Sequence, residues 1–331
     1  MSVFDADGKT KIRQLFDNHL EAGLQHGAQL AVYKDGEQVV DFAGGVTGSD
    51  DADDDEVQDT TTDTKHVLFS TTKPYAGVCL HQLVEDGEAS YDDQVVEYWN
   101  AFDRGDDRKA DVTVRHVLSH QVGMPIGTAD ADPDSWSDWD SVVEMTEEDS
   151  LHFEPGEKPA YHALTYGWLV GELVRRISGT PIDKYARENV FEPLGMDDTY
   201  IGLPDSIPAD EVATLTGYEE FDRCRTPDVG LGTLDNREAA ELFNREDVRR
   251  SVVPAATGIG TASDMAKFYA CLVNGGELDG ERILQEGTVD EATAVEAETE
   301  EDYTLGVPRR YALGFERGGT PWDKYGVLTP S

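Results

Sequence analysis

Ser70-Thr71-Thr72-Lys73 places a hydroxyl and an amine three residues apart. At the start of a helix, residues at this spacing share one face, so the lysine amine can approach the serine oxygen. Serine is a poor nucleophile until a neighbour takes its proton. A lysine desolvated in a cleft, or held near other cations, can lose its own proton near neutral pH and act as that neighbour. The helix N-terminus adds backbone N–H groups and a positive dipole end for a developing oxyanion. Pro74 supports a helix start here, because proline is tolerated in the first turn. Ser70 is the only serine in the chain followed three residues later by lysine, and the apolar run Val67-Leu68-Phe69 leads into it. The chemistry implied is acyl transfer through a serine intermediate.

Tyr161 is the second candidate. It follows Phe153-Glu154-Pro155-Gly156 at the mouth of a long helical segment, and a phenol between two positive charges can serve as a proton shuttle. His162, beside it, is a candidate for substrate contact. Other chemistries lack their residues. His116 and His120 have the spacing of zinc ligands, but Val117 stands where a His-Glu-x-x-His site has its glutamate, so both read as structural. There is no Gly-x-Ser-x-Gly elbow, no dinucleotide fingerprint and no P-loop. The acidic run from Ser49 to Glu56 lacks the glycine and terminal glutamate of a calcium loop and reads as a solvated surface loop. No metal and no cofactor is expected.

The elements that must position these residues are legible from periodicity. Ile12, Leu15, Phe16, Leu20 and Leu24 predict an amphipathic first helix. Gln29–Tyr33 and Gln38–Phe42, joined at Lys34-Asp35-Gly36-Glu37, predict a hairpin with an Asp-Gly turn. Helices are expected after Ser70 over Ala76–Val84, stopping near Gly87, and over Val114–Ser119 before a break at Gly123-Met124-Pro125. The acidic stretch Ile126–Ser150, with Trp136 and Trp139, reads as an insertion or flap. A long helix over Thr165–Ile177 should stop at Ser178-Gly179-Thr180-Pro181, and another should begin at Pro181. Met265–Leu272 reads as a helix and Tyr311–Phe315 as a strand.

In 331 residues, 68 acidic side chains oppose 27 basic ones, for a formal net charge of −41. Such a charge repels nucleic acid and anionic membranes, so neither is an expected partner. The acidic residues run along the whole chain, and the expectation is a surface adapted to a salty interior, as in halophilic archaea, because salt screens such repulsion. Cys79, Cys224 and Cys271 are too few and scattered for a disulfide framework; Cys79 and Cys271 read as buried thiols. The first residues lack the basic and apolar regions of a signal peptide, and no apolar run approaches the roughly 20 residues of a membrane span. A cytoplasmic location is expected.

Taken in order, the segments resemble the serine β-lactamase-related, penicillin-binding-protein-like superfamily, particularly class C β-lactamases and family VIII carboxylesterases. The resemblance rests on Phe69-Ser70-Thr71-Thr72-Lys73, Thr113-Val114-Arg115-His116-Val117-Leu118-Ser119-His120 with Gly123-Met124-Pro125, and Phe153-Glu154-Pro155-Gly156. It continues through Tyr161-His162-Ala163, Ile177-Ser178-Gly179, Glu192-Pro193-Leu194-Gly195-Met196 and Gly258-Ile259-Gly260-Thr261-Ala262-Ser263-Asp264. It implies an α/β (α+β) fold, an antiparallel sheet flanked by helices beside a mostly helical lobe. Ser70 would be the acylated nucleophile, and Lys73 with Tyr161 the proton-transfer pair. One domain over 1–331 is expected, with a sheet lobe from about 1–65 and 255–331 and a helical lobe of about 66–254. Two departures stand out. Ala163 occupies the place of an asparagine whose amide helps hold β-lactam substrates. The family's third motif, expected on a strand after Tyr311–Phe315, is not found before Ser331, so the chain reads as C-terminally truncated, its last strands missing. The expected function is acyl-enzyme hydrolysis of a small-molecule ester or amide, small esters being favoured. β-Lactamase or peptidase activity, or an inactive binding or scaffold role, are the alternatives. The oligomeric state is left open.

Overall fold

The first helix, α1 (Ala6–Glu21), rests on a hairpin of β1 (Gly27–Lys34) and β2 (Glu37–Gly45). The computed structural model describes residues 6–48, 57–216 and 236–318. The acidic run at 49–56, Cys224 and the stretch beyond 318, where the family's third motif is expected, lie outside the described residues. After the hairpin come β3 (His66–Val67), a 3₁₀ turn (Phe69–Thr72), α2 (Lys73–Glu85), α3 (Val95–Tyr98) and α4 (Val114–Leu118). Then follow α5 (Trp139–Glu148), α6 (Thr165–Ser178), α7 (Ile182–Ala186), β4 (Tyr200–Ile201), α8 (Asn236–Asn244), α9 (Glu246–Arg250) and β5 (Gly258–Gly260). The described part closes with α10 (Ala262–Val273), β6 (Glu277–Leu278), β7 (Glu281–Arg282), α11 (Glu286–Thr293), β8 (Ala297–Thr299) and β9 (Arg309–Tyr311). Among the described residues no helix is long and apolar enough to cross a membrane.

The hairpin turns where Asp-Gly predicts. Asp35 and Gly36 have φ of 53° and 82°, the pair of left-handed residues that matches strand twist in a two-residue turn. One side of the hairpin takes α1 through Phe16, whose ring lies 6.3 Å from Phe42. The apolar face of α1 is narrower than its spacing suggests. Phe16 is buried, whereas Leu15 is 57% exposed and Leu24 lies beyond the helix end, 67% exposed. The hairpin also meets the start of α10, where Gln29 Oε1 accepts the Ala262 N–H and Gln38 Nε2 donates to Ser263 Oγ.

Two helices form the centre. From Tyr75 to Leu80 every residue of α2 is buried, and α6 is buried from Thr165 to Val174, as expected of helices surrounded by protein on all sides. Gly179 ends α6 in the left-handed conformation with φ 75°, the usual role of a glycine just past a helix. Cys79 and Cys271 are buried free thiols.

The stretch 126–150 is not a flap. Trp136 is buried, its ring 6.3 Å from Trp168 and 6.1 Å from Phe243, and its Nε1 donates to Ala129 O. Trp139 donates to the buried Glu172 from the first turn of α5. Asp138, Asp140, Glu144 and Glu148 are exposed, whereas Val142, Val143 and Glu147 of α5 face the core. The strand expected over Tyr311–Phe315 ends at Tyr311, its beginning, among the described residues. β9 pairs with β8 only over Arg309–Tyr311, and the chain then turns at Gly314. There the Gly314 N–H donates to Leu118 O, and Leu313 O accepts from His81 Nε2.

Candidate active site

β5 is the middle strand of a small antiparallel sheet, β3-β5-β4. That sheet delivers the chain to Ser70. Leaving β3, the backbone bends sharply at Phe69, whose φ of 47° is left-handed. For a bulky residue this costs on the order of 1–3 kcal/mol and persists only where the surroundings enforce it. Phe69 is held by its ring, 4.8 Å from that of Phe243. Thr72 closes the turn from the other side: its hydroxyl donates to Phe69 O and accepts the Gly258 N–H. Ser70 therefore stands in the 3₁₀ turn immediately before α2, and Lys73 is the first residue of the helix.

Glycine at 258 is required by this approach, since a Cβ there would collide with Thr72 Oγ1. Gly258→Ala should lower stability by about 1–3 kcal/mol through overpacking, read as a fall in the denaturation midpoint at unchanged slope. An unchanged midpoint would mean that Thr72 is free to move and does not fix the turn.

Lys73 is 4% exposed. Its Nζ lies 3.1 Å from Ser70 Oγ, 2.7 Å from Ala163 O and 3.1 Å from Ala255 O. An ammonium has three donors, and here there are three acceptors. Lys73 Nζ also lies 4.8 Å from the centroid of the Tyr161 ring, close enough for a cation–π attraction. The expected pair of charges about Tyr161 is represented among the described residues by this one cation. Ser70, Lys73 and Tyr161 thus come together, through a helix start and a loop 90 residues apart. His162 is turned inward and is 1% exposed. Its Nδ1 donates to Ala160 O at 2.6 Å, and burial pushes the imidazole down to about 3, keeping it neutral.

Three parts of this arrangement have a role that the sequence does not assign them. The carbonyls of Ala163 and Ala255 hold Lys73, but a carbonyl is common to every residue. His120, noticed for its spacing to His116, has φ 60° and accepts the His162 N–H at Nδ1. Its ring packs 5.0 Å from Tyr161 and 4.8 Å from Tyr311. Burial drives its pKa well down, with the nearby His162 and Lys73 acting in the same direction. Asp302, 1% exposed, accepts the Tyr161 N–H with both carboxylate oxygens, at 3.2 and 3.0 Å.

A profile of the family described as Beta-lactamase matches residues 12–328. The Esterase/beta-lactamase LipL of Mycobacterium tuberculosis is 32% identical over 311 residues, covering 87% of this chain and 68% of that protein. Among solved structures, a family VIII carboxylesterase is 31% identical with a TM-score of 0.79, over 94% of this chain and 82% of that one. A penicillin-binding protein homologue from Caulobacter crescentus is 32% identical with a TM-score of 0.77, over 94% and 81%.

Proposed function

The chain belongs to the beta-lactamase family and has the β-lactamase/transpeptidase-like fold, and from that premise we propose that it is a serine hydrolase of small esters with Ser70 as nucleophile. The observation that carries the reading is the Lys73 amine, buried and 3.1 Å from Ser70 Oγ. Acting as base, the Lys73 amine keeps two N–H bonds on Ala163 O and Ala255 O and turns its lone pair to the serine hydroxyl. It takes that proton as Oγ attacks the ester carbonyl carbon. The tetrahedral oxyanion is met by the Ser70 N–H at the head of α2. Collapse breaks the bond to the leaving alkoxide, which takes a proton through Lys73 and Tyr161. Water then attacks the acyl-enzyme and gives its proton to the same pair, which passes it to Ser70 Oγ as the acyl–Oγ bond breaks and the acid leaves.

Ala163 supports an ester over a β-lactam, since an alanine side chain offers no amide to a lactam's acylamino group. The relative described as an esterase/beta-lactamase makes the lactam the second reading. We read the chain as one domain, and its net charge of −41 as adaptation to concentrated salt, so the assays belong in molar salt, where the Debye length falls to about 3 Å. A fluorophosphonate should form a single covalent adduct, located at Ser70 by peptide mass spectrometry. The labelled protein should lose its hydrolysis of p-nitrophenyl acetate, a better substrate than nitrocefin. Undiminished hydrolysis in fully labelled protein, or an adduct elsewhere, would remove Ser70 from the chemistry.

A further inference from the structure

Tyr161 lies in a stretch, from Leu151 to Leu164, that belongs to no helix or strand. No ladder of its own therefore fixes the phenol beside Lys73. Three consecutive amides are instead held one by one from outside. Ala160 N–H donates to His120 O, Tyr161 N–H to Asp302, and His162 N–H to His120 Nδ1. The middle bond of this clamp comes from a carboxylate 141 residues downstream, in the loop between β8 and β9.

That carboxylate has no capacity left for a ligand. Besides Tyr161 it accepts the N–H groups of Thr304 and Leu305 at 2.9 Å each and the hydroxyl of Tyr311 at 2.9 Å. Burying a charge costs several kcal/mol unless its bonds are met, and here every bond is spent on backbone and on one tyrosine. Tyr311 joins the two arms of the clamp, because its ring also packs on His120.

We propose that Asp302 is a positioning residue of the reaction: it fixes the backbone of Tyr161, with His120 on either side, so that the phenol stays against Lys73. The inference rests on Tyr161 as the proton-transfer partner of Lys73. A misplacement of about 1 Å in a reacting group can cost 10²-fold in rate. Asp302→Ala should therefore lower kcat by about 10- to 100-fold with KM little changed. Asp302→Asn should recover most of that loss, since the carboxamide oxygen still accepts the Tyr161 N–H and the Tyr311 hydroxyl can turn to accept from Nδ2. The deciding measurement is a double-mutant cycle, with melting temperatures followed throughout. In a Tyr161→Phe background, Asp302→Ala should cost nothing further in kcat. A purely structural aspartate would subtract the same factor in both backgrounds, and that result, or an unchanged kcat in folded Asp302→Ala, overturns the inference. Should Asp302→Ala fail to fold, Asp302→Ser, which keeps one acceptor, takes its place in the same cycle. Labelling separates the two levels. Wild-type protein that a fluorophosphonate does not label at Ser70 overturns both the proposed function and this inference, whereas labelled wild type with a fully additive cycle overturns the inference alone.

Discussion

Ser70→Ala and Lys73→Ala should each lower kcat on p-nitrophenyl acetate by about 10³- to 10⁴-fold, and the double variant should lose no more than the worse single one. The reason is that the two groups act as one device. Ser70 without a base is an alcohol, and Lys73 without Ser70 has no proton to move. Residues that act as a unit show such non-additivity, while independent contributors multiply. Lys73→Ala carries a complication, since it takes the Lys73 donor from the half-buried carbonyl of Ala163 and the buried carbonyl of Ala255. That costs about 1–3 kcal/mol of stability and could mimic a catalytic defect. Lys73→Arg resolves it. A guanidinium supplies N–H donors to the same carbonyls but stays protonated at any working pH. It should be as inactive as the alanine variant while melting at a higher temperature. Substantial activity in Lys73→Arg would show that the residue serves through its charge, not as a base.

Acidification from pH 7 to about pH 5, in molar salt, should lower the melting temperature, by roughly 2–4 °C for each kcal/mol lost. His81 and His162 are buried, and burial lowers their pKa values from 6.5 to about 4 and about 3. In the unfolded chain they take up protons from pH 6.5 downward; in the folded protein they resist. The unfolded state thus binds more protons in this window, so stability is complete above pH 6.5 and falls as the pH drops toward the folded values. By about pH 5 each histidine has cost about 2 kcal/mol. His120, also lowered by burial, adds in the same direction. Asp130 works against them. Burial raises its carboxyl from 3.8 to about 6, although it accepts from Thr165, Gly127 and Trp168. It binds its proton more readily folded than unfolded, which returns about 1.4 kcal/mol by about pH 5. Burial also raises the carboxyls of Asp41, Asp264 and Glu316, which act with Asp130, and lowers the imidazoles of His66 and His116, which act with the other histidines; the histidines win by their number. Salt screens the remaining carboxylate repulsion, so a melting temperature that holds or rises between pH 7 and 5 would contradict the buried neutral state of these imidazoles.

What could be read from the sequence was whatever a short segment decides for itself. Asp35-Gly36 specifies its turn because only left-handed residues fit there, and Gly179 stops α6 for a similar reason. The same holds for Ser70 and Lys73, whose proximity needs only one turn of chain. Leu15 shows the limit. Its place in the apolar period of α1 is right, yet Phe16 and Leu20 meet the hairpin and Leu15 stays 57% exposed. The stretch around Trp136 and Trp139 misleads for the opposite reason, because abundant surface carboxylates hide a buried face. For Lys73 the missing information is the identity of its acceptors, which are backbone carbonyls, and no side-chain pattern announces a carbonyl. Nor does anything local mark Asp302 among 68 acidic residues; only the folded chain shows it, with Glu172, to be enclosed.

The span of chain between the groups that meet at the site has a consequence for how the protein comes into being. Ser70 and Lys73 are three residues apart, but the carbonyls that cage the amine lie 90 and 182 residues from it, and the carboxylate under Tyr161 another 141 beyond that tyrosine. Contacts between such distant segments form late, after the loop-closure entropy between them has been overcome. A nascent or half-folded chain can therefore have its serine and lysine side by side at the start of α2 while the cage around the amine is still open. Full activity waits on the docking of the loop between β8 and β9, whose Asp302 accepts the Tyr161 N–H.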